Sequence, residues 1–260
     1  MTLFHAFLLG LVQGFTEFFP VSSSAHLKLT KLLLGIKESP DCLLLDLSCH
    51  LGTLAAIIYF LRDPITKIWK TDHKKLLELF VALTPLIPAY FLLKPLREFA
   101  SNTNYLGYCL IATGVILFTG HFFRVRQKQK GQSQSLLQDA FCIGAMQSAA
   151  LIPGISRSGS TIACARILGW KPDEAVRFSF LLSIPTVLGG NALEVTKALV
   201  SHQPIFQGQW LLYSLAFFTS LIVGLTVIKF AMKILEKGNL QPFAYYCTAL
   251  GLLTLFLTWR

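Results

Sequence analysis

QGFTEFFPVSSSAH, residues 13 to 26, is a polar turn set into strongly apolar sequence, and its reading decides the fold. Glu17 is the only Asp, Glu, Lys or Arg among the first 27 residues; a proline, three consecutive serines and a histidine follow it. Each of these groups costs free energy if it meets lipid unpaired, so the stretch reads as a site. The flanks are short. Residues 3–12 are apolar but end at Gln13, and residues 27–36 form another short apolar piece carrying Lys28 and Lys31. A full span needs about 20 residues. Two half-length helices joined by a polar turn describe a re-entrant pair, which is tolerated at depth only where it lines a protein cavity.

Outward from this pair the chain belongs in a bilayer. Of its 260 residues 53% are hydrophobic and 14% charged, against roughly 25% charged in soluble domains. Full spans are expected at 43–61, 76–93, 105–123, 178–198, 210–230 and 242–259, with Pro85, Pro88 and Pro185 as kinks. The fold class is an all-α polytopic membrane protein. A net charge of +10 suits Lys and Arg gathered in cytoplasmic loops rather than a nucleic-acid partner, because no basic stripe alternates with exposed aromatics. The six cysteines lack CxxC spacing and His partners, so buried free thiols are expected rather than a metal site. The N-terminus has no basic n-region or cleavage site and does not read as a signal peptide.

The interruption recurs. Residues 136–152 and 158–169 form a second broken apolar segment, and a shift of 134 puts Gly10-Leu-Val-Gln13 on Gly144-Ala-Met-Gln147, Ser22 on Ser156 and Ser24 on Ser158. The chain is therefore read as one membrane domain, 1–260: repeat 1 over 1–123, a basic cytoplasmic linker over 124–135 and repeat 2 over 136–260. A re-entrant pair plus three spans per copy makes an inverted-topology repeat, whose broken helices meet near the midplane. With the first pair outside, the inner loops hold fifteen Lys or Arg and the outer side seven, although Lys28, Lys31 and Lys37 blur the asymmetry. The positive-inside rule then puts both termini and the first loop outside.

The second loop is ALIPGISRSGST, residues 150–161, and Arg157 is the only Asp, Glu, Lys or Arg between 140 and 165. One copy supplies an acid and hydroxyls, the other a guanidinium. Short helices starting after serine-rich turns present free N–H groups and positive dipole ends, and an arginine adds its planar fork. Such a cavity suits an oxyanion, phosphate above all. Gln13 and Glu17 at i, i+4 share a helix face; Ser23 and His26 at i, i+3 pair a nucleophile with a proton carrier. Plainer roles stay open beside these. Ser22 or Ser24 fits an N-cap, which is compatible with ligand binding. His26 fits a local hydrogen bond, and Glu17 fits a resting ion pair with Arg157. Asn191 and Glu194 read as polar groups near a helix end.

At these residues the sequence resembles the undecaprenyl-diphosphate phosphatases, the bacitracin-resistance family of bacterial membrane proteins. The first family motif corresponds to Gln13 through Glu17 and PVSSSAH; the second, PGxSRSxxT, is intact from Pro153 to Thr161. The resemblance implies a phosphoric anhydride hydrolase. It would convert the C55 isoprenoid diphosphate to the monophosphate at the outer face of the bacterial cytoplasmic (inner) membrane, recycling the carrier lipid of peptidoglycan synthesis and conferring bacitracin resistance. It also implies Ser23 as nucleophile, Glu17 as motif carboxylate, His26 as motif histidine and Arg157 as phosphate-binding arginine. Gln13, Ser22, Ser24, Ser156, Ser158 and Thr161 become the substrate-binding set. A divalent cation, Mg2+ or Ca2+, is implied at Glu17. Gln13 stands where many members have Glu, and it offers an amide oxygen but neither a charge nor a base. Expected partners are the isoprenoid diphosphate, the bilayer and, as a candidate, a second copy of the chain. The rival reading is a transporter or flippase of a lipid phosphate, which shares the broken-helix architecture. Acid-phosphatase-type lipid phosphatases are set aside because no histidine follows Ser156-Arg157 at their spacing. Intramembrane serine proteases are set aside because no GxSG elbow is present.

Overall fold

The computed structural model of the protein describes residues 1–36, 40–122, 136–200 and 209–258, and every regular element in them is helical. The expected basic linker, 124–135, lies outside the described residues. In chain order the helices are α1 (Leu3–Thr16), α2 (Ser23–Leu33), α3 (Pro40–Phe60), α4 (Arg62–Lys70), α5 (His73–Leu83), α6 (Leu86–Leu92) and α7 (Lys94–Ala100), then α8 (Leu106–Phe122), α9 (Leu136–Ser148), α10 (Arg157–Ile167), α11 (Pro172–Val200), α12 (Trp210–Leu235) and α13 (Gln241–Thr258).

Five stretches are long and apolar enough to cross a membrane: Cys42–Phe60, His73–Leu92, Thr103–Phe122, Pro172–Val200 and Trp210–Leu235. They match five of the six expected spans. The sixth falls on α13, where Gln241, Tyr245 and Tyr246 dilute the apolar sequence. Phe80, Phe91, Leu211 and Phe256 stand exposed on the outside of these helices, Phe91 at 71% and Phe256 at 77%. A soluble protein does not expose large apolar residues at such density, and lipid removes the penalty. Pro85 separates the second span into α5 and α6, while Pro88 and Pro185 lie inside α6 and α11. Asn191 and Glu194 therefore lie within α11, short of its end at Val200, and Glu194 pairs with Lys197 at 2.5 Å. Two of the connections between spans are themselves helical, as α4 and α7. All six cysteines are free; four are buried, but Cys142 is exposed, against expectation.

The two interrupted segments fold alike. Serines cap both second helices: Ser22 accepts from Ala25 N at 3.4 Å and Ser156 from Gly159 N at 3.1 Å. Each helix then ends on a left-handed glycine 134 residues apart, Gly35 (φ 64°) and Gly169 (φ 88°). The wrap-around bonds also correspond, Ile36 N to Lys31 O at 2.9 Å and Trp170 N to Ala165 O at 3.0 Å.

Packing repeats the correspondence. α1 lies on α12, where a Cβ added to Gly10 would sit 2.8 Å from the Ala216 carbonyl oxygen; α9 lies on α5, where one added to Gly144 would strike the carbonyl of Ala82. Gly10 and Gly144, like Ala82 and Ala216, are 134 apart. Small residues let these backbones approach, as helices in lipid require.

Candidate active site

Glu17 is the point on which both broken segments converge. It follows the last turn of α1, is 8% exposed, and accepts from Gln13 Nε2 one turn earlier at 3.0 Å. Ser23, the first residue of α2, donates its Oγ–H to Glu17 Oε2 at 2.6 Å. Arg157, the first residue of α10, donates from Nη2 to Glu17 Oε1 at 2.6 Å. The first residues of two helices from opposite halves of the chain thus meet on one carboxylate.

Apolar packing and cross-loop hydrogen bonds explain how the first turn holds this shape. Phe18 and Val21 turn into the core, with Phe18 edge-on to Phe180 at 6.0 Å between centroids, while Glu17 turns to Ser23 and Arg157. Ser158 Oγ donates to the Phe19 carbonyl at 3.2 Å and ties the loops together. The carbonyl of Pro20 accepts from Cys247 Sγ at 3.8 Å, and that of Gly154 from Thr113 Oγ1 at 3.4 Å. Both acceptors and both donors are 134 residues apart, so α13 and α8 brace the two loops in the same way.

Ser22 is the only non-glycine residue with left-handed backbone among those described, at φ 68° and ψ 86°. Such geometry costs on the order of 1–3 kcal/mol and persists only where neighbours enforce it. His26 is the enforcer. Its Nδ1 lies 2.8 Å from the Ser22 carbonyl, which can only accept, so Nδ1 carries a proton. Nε2 then accepts from Tyr246 Oη at 2.7 Å, and the two rings stack at 7°. The expected Ser23–His26 pairing is therefore not realised. Ser23 points back to Glu17, and both ring nitrogens of His26 are spent on Ser22 and on α13. Tyr246→Phe removes the bond that orients the ring and is expected to lower stability by about 0.5–1.5 kcal/mol, the worth of one hydrogen bond. A lower melting temperature in detergent checks it.

The other sequence candidates lie close by. Ser24 Oγ is 3.3 Å from Ser22 Oγ, and Ser156 Oγ is 3.4 Å from Ser158 Oγ. Thr161 sits one turn along α10, its hydroxyl bonded to the Arg157 carbonyl at 3.0 Å and to Ser179 Oγ at 2.7 Å, so it steadies the start of that helix. Four groups were not anticipated. Tyr246 carried no signal beyond a tyrosine in an apolar helix. His50, an ionisable residue inside an expected span, lies within electrostatic reach of Glu17. Thr53, one turn further along α3, receives Gln13 Nε2 at 3.4 Å. Gln147, the counterpart of Gln13, is buried beside Thr186, its Oε1 3.5 Å from Oγ1.

Several buried polar atoms here have no partner among the described residues: Gln13 Oε1, Arg157 Nη1, His50 Nδ1 and Gln147 Nε2. Arg157 keeps one arm of its fork free while the other holds Glu17, which suits a phosphoryl oxygen. No cluster of three His, Cys, Asp or Glu exists among the described residues. Glu17 and the unpartnered Gln13 Oε1 are oxygen donors of the type a hard divalent cation takes, and both Glu17 oxygens here already accept hydrogen bonds from Gln13, Ser23 and Arg157.

The chain matches a family profile described as bacitracin resistance protein BacA over residues 6–253. It is 38% identical to an undecaprenyl-diphosphatase of Protochlamydia amoebophila over 258 residues, covering 98% of each chain. It is also 38% identical to one of Carboxydothermus hydrogenoformans, covering 99% of this chain and 98% of that one. A third, from Halothermothrix orenii, is 34% identical with the same coverage.

Proposed function

This chain belongs to the bacitracin resistance protein BacA family, and from that premise we propose that it hydrolyses undecaprenyl diphosphate to undecaprenyl phosphate and inorganic phosphate. One observation carries the reading: a serine hydroxyl and an arginine, from opposite halves of the chain, both lie 2.6 Å from the same buried carboxylate.

Ser23 Oγ attacks the terminal phosphorus while Glu17 accepts its proton. The bridging oxygen leaves with the lipid monophosphate and takes that proton up. Arg157, the α2 and α10 N-termini and the neighbouring serines hold the charge that spreads over the phosphoryl oxygens. Water, deprotonated by Glu17, then cleaves phosphoserine, and Ser23 recovers its proton. His26 and Tyr246 keep Ser22 left-handed and so fix the direction in which Ser23 leaves the turn. A divalent cation, magnesium or calcium, held by Glu17, Gln13 Oε1 and the substrate's phosphates, would neutralise phosphate charge. With Gln13 in place of a second acid, Glu17 is the sole base.

The 134-residue correspondence of caps, glycines and braces supports an inverted repeat with α13 as the sixth span. The excess of basic residues in the loops 62–75, 124–134, 166–177 and 229–237 supports a site facing outside. The reaction there recycles the carrier lipid of peptidoglycan synthesis in a bacterial cytoplasmic membrane. The test is phosphate release in detergent, where no gradient exists, from C55 and shorter isoprenoid diphosphates, with and without chelator. Wild type is expected to release phosphate, and Ser23→Ala to lose at least about a hundredfold in kcat. Protein that moves the lipid between leaflets but releases no phosphate would identify a transporter. Normal turnover by Ser23→Ala would replace the serine with water as nucleophile.

A further inference from the structure

Beyond the apolar layer that buries Phe18 lies a cavity of about 1100 Å³, between α4, α5, the start of α9, the first half of α11 and the end of α12. None of the residues assigned to the candidate active site lines it. Leu61, Ile68, Leu181 and Met232 form its apolar side and belong to the same core that packs Phe18 and Val21. Along α12, Phe18 sits against Gly224, and the cavity residues Lys229 and Lys233 follow one and more than two turns later. The two sites are therefore separated by packed side chains.

Seven Lys or Arg and five Asp or Glu line this cavity, and the acids are engaged. Glu78 holds Lys75 at 2.9 Å, Glu236 faces Arg177 at 3.8 Å, Asp139 accepts from Trp170 Nε1 at 3.0 Å, and Asp72 caps α5 through Lys75 N at 3.1 Å. Glu174 also has a partner. Lys67, Lys171, Lys229 and Lys233 are exposed, and their side chains have no ion pair or hydrogen bond among the described residues. Lys229 and Lys233, at i, i+4, share one face of α12. Four unpaired cations around an apolar floor are complementary to an amphiphilic anion.

The rim marks the depth at which that anion would sit. α4 is amphipathic: Ile68 is buried while Trp69 stands 73% exposed beside Lys67 and Lys70, and on α12 Phe230 is exposed next to Lys229. Exposed indole beside lysine is the pattern of a segment lying at the headgroup level. A soluble anion would need no such rim, and one phosphate would fill little of the volume.

We propose that this cavity binds the headgroup of an anionic glycerophospholipid from the leaflet opposite Glu17, with the acyl chains leaving between α4 and α12. Basic pockets between membrane helices recognise such lipids. Under the orientation proposed above this is the cytoplasmic leaflet, but the binding stands whether or not the chain is a phosphatase.

The test is native mass spectrometry of the full chain, titrated in mixed micelles with phosphatidylglycerol or phosphatidylcholine. Phosphatidylglycerol is expected to bind at least tenfold more tightly. Lys229→Gln with Lys233→Gln is expected to weaken it roughly thirtyfold, at the usual worth of two lysines near an anionic surface. Lys94→Gln with Lys237→Gln, cations outside both the cavity and its rim, is expected to leave affinity within twofold, and melting curves exclude misfolding. Equal binding of the two lipids, or equal losses in both double variants, overturns the proposal. So does displacement of phosphatidylglycerol by equimolar inorganic diphosphate or by an isoprenoid monophosphate, which would assign the cavity to a soluble anion or to the carrier lipid.

Discussion

Glu17→Gln is expected to lower kcat for phosphate release by about 10²–10⁴, the usual worth of a positioned general base. The substitution preserves shape, and the amide oxygen can still accept one hydrogen bond. It removes the proton acceptor for Ser23 Oγ and the charge opposite Arg157, both 2.6 Å away. A second effect accompanies the first. Arg157 is left as an uncompensated buried cation, and breaking a buried pair from one side costs about 3–5 kcal/mol. The variant should therefore melt at lower temperature as well as turn over slowly. Kinetics on material still folded at the assay temperature separates the two losses. Retention of more than a tenth of wild-type turnover by folded Glu17→Gln would remove Glu17 as the base.

What could be read from sequence follows from what membranes penalise. Glu17 and Arg157 were legible because each is alone in apolar sequence, and a lone charge at depth needs a partner. The structure pairs them. The 134-residue shift was legible through Gly10, Gly144 and the serines, since close helix approach and N-capping each demand a particular residue type. Invisible were the contacts made by ordinary residues. Tyr246 is one of seven tyrosines, and nothing in its neighbourhood indicates that it meets His26, 220 positions earlier. The i, i+3 spacing of Ser23 and His26 misled for a related reason. Spacing puts two side chains on one helix face, but the left-handed Ser22 needs a donor for its carbonyl, and His26 is the side chain within reach. The amphipathic α4 went unread because its lysines fit a cytoplasmic loop equally well.

Arg157→Lys is expected to lower kcat by about 10²–10³, comparable to losing one preorganised donor to a developing oxyanion. The guanidinium has a divided role: Nη2 holds Glu17 Oε1, while Nη1 is buried without a partner among the described residues and is free for a phosphoryl oxygen. An ammonium keeps the charge opposite Glu17, so the pair survives and the melting temperature should change little. It cannot hold the carboxylate and reach the phosphate in one planar fork. Activity and stability therefore part company in this variant, whereas in Glu17→Gln they fall together. The double variant Glu17→Gln/Arg157→Gln extends the contrast. Removing both charges together is often neutral or stabilising where removing one is not, so it should melt nearer to wild type than Glu17→Gln and remain inactive. Near-normal turnover by Arg157→Lys would reduce the arginine to a structural counter-ion of Glu17 and leave the helix N-termini as the principal phosphate ligands.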